Sequence, residues 1–197
     1  MRSTSLFVTL ALALVAPVIH AQEGREEALP RAELALSNDT LQAEYIGDGG
    51  RVGGGDSRMT AAFFLSEERD IVLSGGLLFP ADVDLGRISA SFGPRAYAAL
   101  LDEENNDVLS LSVGAQLRFE LNRRNGLAIV GHAFYAPDIL TFGSADNLTD
   151  LSARAEMRLA ERLIGFAGMR WFEFDLTEGG GEQTLQEEIF VGAGFSF

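Results

Sequence analysis

The sequence predicts an all-β chain: an antiparallel up-and-down transmembrane β-barrel of ten strands, with eight as the alternative. Three observations carry the prediction. From about residue 31 onward the apolar residues recur every second position, which is the period of a strand with one apolar face. Nowhere after the N-terminal leader does an apolar run approach the 18 or so residues of a membrane helix. And the chain ends on an aromatic strand, Leu185 to Phe197, with no polar tail. In that strand Ile189, Val191, Ala193, Phe195 and Phe197 share one face, and Glu188, Phe190, Gly192, Gly194 and Ser196 share the other. A strand with a lipid-facing side belongs in a closed barrel, because an open edge leaves backbone groups unpaired in hydrocarbon.

Ten alternating segments follow in order. Arg31 to Ser37 puts Ala32, Leu34 and Leu36 on one face, and Thr40 to Gly47 does the same with Leu41, Ala43 and Tyr45. Asp48 to Asp56 is glycine-rich and reads as a flexible turn; no helix follows that would make it a phosphate cradle. Ser57 to Ser66 and Asp70 to Phe79 alternate next, then a long segment from Leu85 to Leu101, in which Pro94 predicts a bend or bulge. Val108 to Leu121 is the clearest: seven apolar residues from Leu109 to Leu121 face away from Ser110, Ser112, Gly114, Gln116, Arg118 and Glu120. An Asn-Gly signal in 122–126 predicts a tight turn. Leu127 to Ala136, Leu151 to Leu159 and Leu163 to Leu176 precede the final strand. The ninth alternates poorly around Met169 to Phe172, which predicts a bulge or an aromatic girdle there.

Loop lengths give an orientation, since periplasmic turns of such barrels are short and outer loops long. The outer loops are then 38–39, 66–70, 102–107, 137–150 and 177–184. The inner turns are 48–56, 80–84, 122–126 and 160–162, of which 48–56 is too long for its side.

The N-terminus carries Arg2, an apolar run from Leu6 to Ile19 broken by Pro17, and the small-residue exit Ile19-His20-Ala21. This predicts a signal peptide over 1–21, too short to span a membrane. Residues 22–30 form a charged periplasmic lead, and 31–197 the barrel. Cysteine is absent, which excludes disulfides, thiol catalysis and thiolate metal sites. All 15 basic residues are arginine against 29 acids, and the net charge is −14. That charge argues against nucleic-acid binding, which needs a basic footprint.

No catalytic residue, metal ligand or cofactor site is assigned. His132 is the only histidine beyond the leader, and Asp138 lies about 20 Å along the strand, too far for a direct hydrogen bond. No serine lies near His132 in sequence, though Ser110 or Ser112 could approach it from the neighbouring strand. His132 is read as a lumen residue bonded to its neighbours. The acidic stretch 102–107 lacks the spacing of a defined calcium loop. Tyr45, Phe79, Tyr97, Tyr135, Trp171, Phe172 and Phe174 are read as an interfacial girdle. The polar face supplies the candidate site, a lumen charge network of Glu33, Glu44, Arg58, Arg87, Arg95, Arg118, Glu120, Arg154, Glu156, Arg158, Glu173 and Glu188. Arginines on the middle strands face acids on the first and last, so a narrow lumen is expected to be plugged by ion pairs.

Several segments resemble a known family. Gly131-His132-Ala133-Phe134-Tyr135-Ala136-Pro137-Asp138, with Ile139-Leu140 after it, is similar to the aromatic-Tyr-x-Pro-Asp segment of the YfaZ family of outer-membrane proteins. Residues 153–157, 168–172 and 191–197 lie where that family has matching strands. The closing Phe195 and Phe197 resemble the insertion signal of bacterial outer-membrane barrels. The resemblance covers about residues 108–197. It implies a small porin-like barrel in the outer membrane of a Gram-negative bacterium, with membrane lipid and the barrel-assembly machinery as partners. It brings no catalytic residues. The function expected is at most narrow passage of small solutes; the alternative is a structural or surface-interaction barrel without transport.

Overall fold

The computed structural model describes residues 29–81, 86–101, 106–176 and 182–197. The leader 1–21, most of the lead 22–30 and parts of the expected loops lie outside the described residues. The strands are β1 (Arg31–Leu36), β2 (Thr40–Val52), β3 (Gly55–Ser66), β4 (Ile71–Pro80), β5 (Ile88–Leu101), β6 (Asn106–Asn122), β7 (Leu127–Ala136), β8 (Thr141–Gly143), β9 (Ala145–Ala160), β10 (Leu163–Leu176) and β11 (Glu182–Ser196).

Apart from the short β8, each strand pairs antiparallel with the next, β7 pairing with β9, and β1 pairs with β11, so the sheet is a closed ring. Ten strands build the ring. The short β8 continues the line of β7: β7 runs along β6 from Leu127 to Tyr135, and β8 takes up β6 again at Val108 to Ser110. Between them Pro137 starts a single 3-10 turn, Asp138–Leu140. Most of the outer loop expected over 137–150 is therefore strand. β9 starts six residues earlier than Leu151, because Ala145 and Leu148 bury their side chains inward.

Three further expectations are corrected by local geometry. The 48–56 stretch is no long turn: β2 and β3 run on to a two-residue Gly53–Gly54 reversal, with φ of 62° and 88°. Only glycine takes two successive left-handed positions without steric cost, and that turn matches the strand twist. Pro94 makes no bulge. The β5–β6 register runs unbroken through it, and the β4–β5 register is the same on both sides of it. Pro94 stands on the exposed face, and the ladder toward β4 skips only the pairs at Leu77 and Leu78. Met169 to Phe172 is regular; the bulge lies opposite, where Leu185 is the extra residue of β11.

The outward face is apolar around the ring: Leu34, Leu73, Leu100, Leu111, Val113, Leu117, Ile129 and Val191 all stand exposed. No described helix is long and apolar enough to cross a membrane. A closed ring with an apolar exterior satisfies every condition for crossing by strands, since no backbone edge is left in hydrocarbon.

Candidate functional site

The lumen is built from the residues between those apolar ones, and it has three levels along the barrel axis. The rim where β1 begins and β11 ends also carries the turns at 53–54, 123–126 and 161–162; it is called here the terminal rim. The opposite rim carries the turns at 37–39 and 67–70 and the β7–β8 excursion.

Nearest the terminal rim, arginines and glutamates interlock. Arg154 donates to both oxygens of Glu33 (2.5 and 3.0 Å) and to Glu156 (3.3 Å). Arg118 bonds the other oxygen of Glu156, and Arg31 lies 2.7 Å from Glu33. The Arg154 guanidinium is stacked 4.4 Å above the ring of Phe166. Phe166 finds room because Gly192 lies beneath it: a Cβ there would meet the ring at 2.3 Å and the Leu34 carbonyl at 2.4 Å. Phe166 and Phe190, on adjacent strands, meet edge to face.

The middle level is the cavity, about 50 Å³ of free volume lined by Glu44, Gln116, His132 and Ser152 among others. That is space for a few water molecules and no more. Above it lies a second ionic cluster. Arg95 donates to Glu44 (3.2 Å) and to Ser74, and its guanidinium sits between the rings of Tyr97 and Phe134. Arg170 clasps Asp150 through two bonds of 2.8 and 2.9 Å and reaches Gln42 across the lumen. Asp150 also accepts from the Tyr97 hydroxyl at 2.8 Å and meets His132 Nε2 at 3.2 Å. Asp150 is fully buried, and a buried carboxylate persists only when so surrounded by donors.

The third level is apolar. Phe64, Val72, Leu101, Leu148, Phe172, Phe174 and Leu185 belong to one buried cluster inside the opposite rim, with Phe172 at its centre. Phe172 meets Phe64 edge to face at 5.6 Å and packs on Tyr97 and Phe174. This stratum is an apolar cork, with its members 0–5% exposed.

Of the residues expected in the lumen network, Glu33, Glu44, Arg95, Arg118, Arg154 and Glu156 are joined as just described. Arg58 faces inward without a hydrogen bond or ion pair among the described residues. Arg158 is exposed beside Gly126, and Glu120 pairs with Arg123 of the adjacent turn rather than with a lumen arginine. Arg87 precedes β5 and is exposed at the rim. Glu188 faces inward but is bonded to Ser37 and Asp39 of the β1–β2 turn. Glu173 is a correction: β10 keeps strict alternation from Phe166 to Phe174, which turns Glu173 outward with Trp171. The same alternation removes Tyr97, Phe172 and Phe174 from the expected girdle and places them in the cork.

Arg31, Asp150 and Arg170 were missed from the sequence. Arg170 falls in phase with Phe166, Gly168 and Phe172, so the signal was present once aromatic residues are allowed on the inner face. Asp150 was hidden by reading 137–150 as a loop. Both oxygens of Asp150 are taken by Arg170 and Tyr97, and among the described residues His132 bonds only to Asp150.

No curated protein matches the chain. Two solved structures are similar in shape. A bacterial polysaccharide outer membrane secretin aligns over 85% of this chain and 69% of its own, with TM-score 0.47 and 12% identity. The outer membrane channel DcaP of Acinetobacter baumannii aligns over 84% of this chain and 54% of its own, with TM-score 0.41 and 11% identity. The model of the YfaZ precursor family matches residues 45–197, from within β2 through the last residue. That match takes in the whole lumen beyond β1 and half of β2, and the chain belongs to the YfaZ precursor family.

Proposed function

We propose that the protein is a small bacterial outer-membrane barrel whose lumen is closed to diffusion. It acts as a structural or surface-interaction barrel, with at most a water-sized leak. The observation that carries this reading is the apolar cork: a passage through the barrel must cross Phe64, Tyr97, Leu148, Phe172 and Phe174, all at most 3% exposed. Solute flux needs an open path, and at that level the rings and alkyl side chains pack on one another across the lumen. The ionic clusters add a second obstruction, because Arg95 and Arg170 reach across the lumen to Glu44 and Gln42 on β2. The terminal rim faces the periplasm, in keeping with its short turns. Assembly proceeds through the barrel-assembly machinery, with the strand ending in Phe195 and Phe197 as the part presented.

Planar-bilayer recording tests the reading. Purified protein is expected to give no steady conductance. Porin-sized, long-lived steps from the unmodified chain would overturn it and restore the channel reading.

A further inference from the structure

The two ends of the lumen differ in kind. The opposite rim is closed by the apolar cork and carries the carboxylates of Asp39, Glu67 and Glu188, whereas the terminal rim opens onto a surplus of arginine. There Arg31, Arg58, Arg118 and Arg154 lie close enough that the positive charges of the other three all act on Arg118. Glu33 and Glu156 are the carboxylates bonded among them, each shared between two arginines. Arg58 has no hydrogen bond or ion pair among the described residues. Its cross-strand neighbour Asp48 is turned instead to the Gly50 amide, at 2.9 Å. The Nε of Arg154 is buried without a hydrogen-bond partner. Guanidinium groups left unmatched in one place are costly in a chain whose net charge is −14, where acids are abundant. Arg58 is exposed, and the Arg118 and Arg31 side chains are 32% and 22% exposed, so this level is reachable from solvent.

We propose that the lumen mouth at the terminal rim binds an oxyanion of the phosphate type, held by Arg58, Arg118 and Arg31. Several planar forks of N–H donors gathered at one mouth suit a tetrahedral oxyanion, which takes several charge-assisted hydrogen bonds at once. Chloride, a single point charge, gains less from the same donors. The ligand is inorganic phosphate or the phosphate of a lipid headgroup, which present the same oxygens. This site is independent of whether the barrel conducts.

Calorimetric titration of the refolded mature chain in a neutral maltoside detergent tests the proposal. Inorganic phosphate at constant ionic strength is expected to bind saturably, with chloride giving no saturable heat. Arg58→Gln should weaken phosphate by about tenfold or more, the worth of a charge-assisted bond. Arg58 has no hydrogen bond or ion pair among the described residues, so the variant should fold, with unchanged heat-modifiable migration as the check. Arg124→Gln, an exposed turn arginine on the same rim, should bind as wild type does. Equal heats for phosphate and chloride, or full affinity in Arg58→Gln, would overturn the site. Soluble short-chain phosphatidic acid separates the two sources. Tighter binding than inorganic phosphate assigns a lipid headgroup, and equal or weaker binding assigns free phosphate.

Discussion

Arg170 on β10 and Asp150 on β9 hold each other face on, the guanidinium Nε and Nη2 donating to the two carboxylate oxygens at 2.8 and 2.9 Å. The pair stands where the ionic level meets the apolar cork, since the Arg170 guanidinium also lies 4.4 Å from the Phe172 ring. Removing one partner leaves the other charge buried and unmatched. Arg170→Ala and Asp150→Ala are each expected to cost about 3–5 kcal/mol. Denaturant unfolding from micelles measures this, and the double variant should lose less than the two singles together.

Face assignment is open to a direct check on β6. Val113 is 60% exposed and Leu111 44%, both toward lipid. Val113→Arg or Leu111→Arg should cost about 2–4 kcal/mol near the bilayer midplane. Ser112, between them, is no lenient control, because it is fully buried and donates to the Arg95 carbonyl at 2.8 Å. Gln116 lines the cavity, and Gln116→Glu, with Arg118 two residues away on the same face, should cost less than either arginine variant. Equal losses on both faces would show the register to be wrong.

The cork should be both structural and occlusive. Phe172→Ala removes the ring on which Phe64, Tyr97 and Phe174 converge and should cost about 3–5 kcal/mol. Phe172→Ser combined with Phe174→Ser lets water into that level. Brief conductance steps absent from the wild type should then appear in a planar bilayer.

Asp39 provides a pH signature outside the barrel wall. Its carboxyl is pushed up to about 6, first by a hydrogen bond to Glu188 and then by the Glu188 charge. The folded form thus holds this proton more tightly than the unfolded chain, whose value is near 3.8. The resulting stabilisation is complete below the unfolded value and is lost as pH rises through about 6. A carboxyl-resolved NMR titration should place Asp39 near 6 and return it toward the ordinary range in Glu188→Gln.

Phe197 ties the end of β11 to the first strands of the ring. Its amide donates to the Pro30 carbonyl at 3.0 Å, and its ring lies 6.4 Å from that of Tyr45 on β2. Deleting Phe197, or Phe197→Asp, is expected to abolish the heat-modifiable form in outer-membrane fractions, with the chain degraded before insertion. Normal yield and migration of the truncated chain would separate the terminal aromatic from assembly.

The sequence by itself determined the strands and their lipid side. Alternation has a period of two, and a bilayer tolerates almost nothing polar on the outward set, so Val108 to Leu121 could be assigned residue by residue. It also determined the family, through strands that lie in the matched region 45–197. The inward set is under no such rule, because a lumen accepts arginine, glycine or phenylalanine according to what stands opposite. Only the closed ring decided that Phe172 packs on Phe64, 108 positions away in the chain, rather than at an interface. It likewise decided that Arg154 finds Glu33 across 121 positions, while Arg58, equally placed by its strand, finds no carboxylate among the described residues. Pairings of that kind depend on strand order, tilt and the small residues that leave room, and none of these leaves a local mark in the chain.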